Sequence, residues 1–94
     1  MKQLLLEKNI PRNTLEELIS HLRSICKYLM SNDSGRLVLY ELLCSESVVH
    51  IMYDGRVVFI DVYSENEIPG ELLNRIVGVI GPEKLGIHMI DREA

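Results

Sequence analysis

Arg36-Leu-Val-Leu-Tyr-Glu-Leu-Leu-Cys44, Ser45-Glu46, Ser47-Val-Val-His-Ile-Met-Tyr53, Asp54-Gly55, Arg56-Val-Val-Phe-Ile-Asp-Val-Tyr63 is the stretch that decides the fold. Its three long runs are dense in Val, Ile, Leu and Tyr, which fit a pleated surface, and short polar pairs separate them. Asp-Gly is the type I′ hairpin signal, because both central positions of that turn need positive φ. The stretch predicts a three-strand antiparallel meander over 36–44, 47–53 and 56–63.

Side chains alternate across a strand, so two fixed turns assign every residue to a face. One face receives Val38, Tyr40, Leu42, Cys44, Val49, Ile51, Val58, Ile60 and Val62, an apolar surface that helices should cover. The other receives Leu37, Leu39, Glu41, Leu43, Val48, His50, Met52, Val57, Phe59, Asp61 and Tyr63. A solvated sheet face is normally polar. This one is mostly greasy, so Leu37, Leu39, Leu43, Val48, Met52, Val57, Phe59 and Tyr63 are expected to form an interface.

Helices flank the meander. Thr14 and Glu17 have the spacing of a capping box. Apolar residues at 15, 18, 19, 22, 25, 26, 29 and 30 follow as an amphipathic stripe, so a first helix is expected from about 14 to 30, stopped by Ser31-Asn32-Asp33-Ser34-Gly35. A second is expected from about Pro69 to Ile80, ended by Gly81-Pro82, and a last strand over about 86–90. Residues 3–7 read as a short strand or an arm. The fold expected is therefore α+β: a two-layer antiparallel sheet, the meander plus one or two further strands, with two helices on one face. Its order is (β)-α-β-β-β-α-β.

Ninety-four residues allow one domain, 1–94. Apolar residues make up 47% of the chain with no tryptophan, which implies an aliphatic core. No apolar run approaches the roughly 20 residues a membrane helix needs, and no secretion signal is recognisable, so a cytoplasmic chain without a membrane is expected. Asn32-Asp33-Ser34 is then a chance match to a glycosylation triplet. The net charge of −4, with arginines scattered among acids, disfavours nucleic acid as a partner. The default for Cys26 and Cys44 is two reduced, buried thiols, the alternative a disulfide from the first helix to the sheet.

One polar group interrupts the greasy face. Glu41 should sit directly across from His50, and Asp61 diagonal to it. A carboxylate beside an imidazole suits a general acid/base pair or half a metal site. The competing and stronger explanation is an ion pair fixing register inside an interface. No nucleophile lies clearly beside His50, and His88 falls on a strand whose place the sequence does not give. Gly78, Gly81 and Gly86 lack the spacing of a phosphate loop, and His21 with Glu17 reads as a solvated helix pair. No cofactor is implied. Three functions stand: a small interaction or regulatory domain whose partner is itself, as a homodimer, or another protein; a small enzyme or metal-binding protein using Glu41, His50 and Asp61 at a subunit-interface cleft; and a ligand-sensing module with its pocket between sheet and helices, which the sequence does not separate from the first.

Overall fold

The computed structural model describes residues 1–91. Its elements are β1 (Lys2–Asn9), α1 (Arg12–Arg23), β2 (Lys27–Asp33), β3 (Val38–Cys44), β4 (Ser47–Tyr53), β5 (Val57–Ser64), α2 (Gly70–Ile80) and β6 (Gly86–Asp91). The strands form one antiparallel sheet in the order β2-β3-β4-β5-β1-β6. This is the expected α+β domain, with the meander at its heart.

The face assignment holds. Val38, Leu42, Cys44, Val49, Ile51, Val58, Ile60 and Val62 are all buried. They pack in one core with Leu15, Leu18, Ile19 and Leu22 of α1 and Leu72, Ile76 and Ile80 of α2. Tyr53 lies in the same core, and its hydroxyl donates to the Ile10 carbonyl at 2.8 Å. That bond keeps a buried phenol satisfied.

Four expectations are corrected. First, α1 begins at Arg12 behind Pro11 with no side-chain cap, so Thr14 and Glu17 lie inside the helix and form no capping box. Pro11 supplies the entry geometry, and its carbonyl accepts the amides of Thr14 at 3.1 Å and Leu15 at 3.3 Å.

Second, α1 ends at Arg23, and 27–33 is a strand. Twelve residues of helix already run about 18 Å across the sheet. Beyond that length an extended helix would leave the core, whereas a reversed chain satisfies the open edge of β3. Ile25, Leu29 and Met30, placed on the helical stripe by their spacing, are 38%, 42% and 48% exposed.

Third, Cys26 and Cys44 are joined in a disulfide rather than held as thiols. The strand that replaced the end of the helix starts just after Cys26 and pairs Lys27 with Leu43, which brings the two sulfurs together.

Fourth, the β4–β5 turn is Gly55-Arg56, one residue later than the Asp-Gly signal. Asp54 donates its amide to the Val57 carbonyl, and its carboxylate accepts the amides of Arg56 at 2.9 Å and Val57 at 2.7 Å. Only Gly55 needs positive φ, at 96°. Each residue of β4 thus faces a β5 residue two positions further on than expected. An even slip leaves every side chain on its face.

The ambiguous N-terminal segment is a full strand inserted between β5 and β6, with Leu4 and Leu6 in the core. Its Lys8 ammonium donates to the carbonyls of Ile80 at 2.6 Å and Gly81 at 3.0 Å, capping the negative end of α2. Lys8→Met is expected to lower stability by about 1–2 kcal/mol in urea unfolding, because two partly buried carbonyls lose a charged donor.

Candidate functional site

The outer face, which no helix covers, is built on β3, β4, β5 and β1. Leu39, Leu43, Val48, Val57, Phe59 and Tyr63 are half-buried there and Met52 is exposed. Leu37 precedes β3, in the β2–β3 turn, where its carbonyl accepts the Ser34 amide. Residues of β1 and β2 join this face unforeseen, among them Met30, which pairs with Glu41. Leu5 pairs with Asp61, and Gln3 with Tyr63. The apolar run Leu4-Leu5-Leu6 allowed a strand or an arm, and nothing local told where it would insert.

The corrected β4–β5 register brings the polar group closer than expected. Glu41, His50 and Asp61 are direct cross-strand neighbours on β3, β4 and β5. The same row continues through Leu5 on β1 to His88 on β6. His88 is therefore on the outer face, two strands from Asp61, with which it lines a small hollow of about 150 Å³ over Leu5. A carboxylate oxygen of Glu41 lies 3.2 Å from His50 Nε2. The His50 ring meets the Tyr63 ring edge-on at 5.9 Å between centroids. Both members of the Glu–His pair keep substantial solvent contact, so it contributes at most about 1 kcal/mol to the isolated chain.

Asp61 behaves differently. Burial among apolar neighbours pushes its carboxyl above the ordinary value, and the charge of His50 pulls it part of the way back. The folded chain therefore holds a proton on Asp61 that the unfolded chain releases at 3.8. The resulting stability is present below that pH and is lost as pH rises through the raised folded value. Asp61→Asn is expected to abolish that fall and to raise the melting temperature at neutral pH. Thermal melts from about pH 3.5 to about 7 check it; a variant less stable than wild type at neutral pH would contradict the burial argument.

A hollow of about 300 Å³ opens over this row. Met30, Leu39, Met52 and Phe59 supply apolar walls, and Glu41, His50 and Asp61 the polar end. Its size is at the lower end of small-molecule pockets. Among the described residues, no three His, Cys, Asp or Glu side chains come together in a way that would hold a metal ion. Among the described residues, two side-chain polar atoms are buried without a hydrogen-bond partner, Gln3 Oε1 and Ser47 Oγ. Gln3 spends its Nε2 on the Tyr63 hydroxyl at 3.0 Å. Ser47 lies away from the His50 row, beside the β3–β4 turn in which Ser45 holds a φ of 60°.

The fold has a counterpart among solved structures. It is similar to the adenosylmethionine decarboxylase from Aquifex aeolicus VF5, with a TM-score of 0.67 and 10% sequence identity, over 99% of this chain and 90% of that one. At that identity the likeness is one of fold. No family model and no curated protein matches the sequence. No described helix is long and apolar enough to cross a membrane.

Proposed function

We propose that this chain is a small interaction or regulatory domain that works as a homodimer, two copies packing outer face to outer face. The observation that carries this is the row of half-buried Leu, Val, Phe and Tyr side chains on the one sheet face that no helix covers. A patch on the order of 400 Å² is of the size that often marks a binding face. Covering it on two copies removes about 800 Å² of apolar area, worth on the order of 20 kcal/mol before association entropy and imperfect packing offset most of it.

A second copy fits better than an unrelated protein because the polar row is self-complementary. An imidazole lies between two carboxylates, so a copy offset by one strand sets its own imidazole against a carboxylate. Symmetric pairs are also the commonest assemblies. Sedimentation equilibrium tests the proposal: a dimer is expected at micromolar concentration, and a monomer up to about 1 mM overturns it. A cytoplasmic setting fits if the cell interior tolerates a disulfide, as in hyperthermophiles.

The hollow and the fold match favour a second reading, an enzyme with its site in the cleft between copies. Glu41 and Asp61 at the end of an apolar hollow suit a small organic cation, and adenosylmethionine, the substrate named for the similar structure, carries a sulfonium. His50 would serve as the acid/base group. Calorimetric titration with adenosylmethionine and a carbon dioxide release assay separate the two readings. If Glu41→Gln and His50→Ala abolish turnover but leave the dimer intact, the enzyme stands; if they shift only the monomer–dimer equilibrium, the interface does.

A further inference from the structure

Both outer strands of the sheet have an open side, and they differ. β2 begins with Lys27 and carries an irregularity between Tyr28 and Met30, two devices that discourage pairing at an edge. β6 has neither. Gly86–Asp91 pairs with β1 without a break and contains no proline and no lysine. Among the described residues, no strand pairs with its other side.

The helix layer also stops short of β6. Ile87 and Met89 are 55% and 57% exposed, while Leu6 and Leu4, their partners one strand inward, are 2% and 1% exposed. An edge with an open backbone ladder and two uncovered apolar side chains is a template for another strand.

We propose that β6 pairs antiparallel with β6 of a second copy, so that the sheet continues across a two-fold axis at His88. The register singles out a second copy. Opposed residues of an antiparallel pair share a face. Centring on His88 sets Ile87 against the copy's Met89 twice and Gly86 against the copy's Ile90, so apolar meets apolar where the helices do not reach. Centring on Met89 instead would set Ile87 against the copy's Asp91, a carboxylate that lies 3.3 Å from the Lys2 ammonium. Centring on Ile87 would engage only Gly86 to His88; of the two registers that engage five residues of the strand, the one centred on His88 sets apolar against apolar.

A six-residue ribbon buries less than the roughly 1,000 Å² of a stable interface, so this association is weak by itself. It does not depend on the outer-face dimer. Its two-fold stands normal to the sheet, whereas a face-to-face two-fold lies in the sheet plane.

Cysteine cross-linking tests the register, performed in a Phe59→Lys background so that the outer face plays no part. Opposed Cα atoms in an antiparallel pair lie about 4.5–5.5 Å apart, within disulfide range. His88→Cys is expected to cross-link to its copy under mild oxidant, faster at higher protein concentration. Met89→Cys and Ile90→Cys should be at least about ten-fold slower. Met89→Lys in the same background should sediment as a monomer at every concentration. Equal or faster cross-linking of Met89→Cys, or no cross-linking in any variant up to about 1 mM protein, overturns the proposal.

Discussion

Phe59→Lys is expected to weaken self-association by at least about 100-fold, turning a micromolar dimer into a monomer, while the fold of each copy survives. Phe59 sits on the outer face between Met52 on β4 and Glu7 on β1, and it forms part of the apolar wall of the hollow. In the dimer an ammonium at that place would be taken out of water. An unpaired charge in an apolar seam costs several kcal/mol. In the monomer the same side chain reaches solvent and the carboxylates of Glu7 and Asp61, so little stability is lost. The result to look for is a large change in sedimentation with a melting temperature nearly unchanged. An unaltered association constant would remove the outer face as the seat of self-association, and equal loss of folding would mean that Phe59 serves the core.

Removing the disulfide, by reduction or by Cys26→Ser with Cys44→Ala, is expected to cost about 3 kcal/mol, the usual effect of cross-linking a loop of this length. The two cysteines are 18 positions apart, and the loop between them contains all of β2. All seven residues of β2 are exposed, so no buried side chain anchors it. It is held by backbone pairing to β3, the disulfide near its start, the Arg23 guanidinium 4.4 Å over the Tyr28 ring, and the 3.0 Å pair between Arg12 and Asp33 at its end.

The loss should therefore be local. Hydrogen exchange in 27–33 should accelerate first, while β3, β4, β5 and β1 stay protected. Met30 would leave the wall of the hollow at the same time, so any ligand found there should bind more weakly to the reduced protein. Urea unfolding with and without reductant, followed by exchange, measures both effects. A stability change under about 0.5 kcal/mol would show that pairing to β3 alone holds β2.

The candidate site was legible as far as one face. Glu41 opposite His50 followed from the Ser45-Glu46 turn, where the structure has the same two-residue loop. Asp61 was expected diagonal to His50 and lies directly across, because the second turn uses Gly55-Arg56. The signal for that slip was the Asp54 side chain, an acceptor able to gather the two following amides, but a sequence does not tell whether Asp or Gly starts a turn. Leu5, Gln3 and Met30 were missed as site residues, since each belongs to a strand whose partner is remote in the chain.

Alternation and turn spacing by themselves determined which side chains meet the helices and which turn away, because both depend on a period of two residues and tolerate an even slip. Long-range pairing decided the rest. The insertion of β1 between β5 and β6, the conversion of the end of a helical stripe into β2, and the closing of Cys26 onto Cys44 each depend on an open strand edge that only the assembled sheet provides. An apolar run compatible with both helix and strand takes whichever form satisfies its backbone against the neighbour it finds.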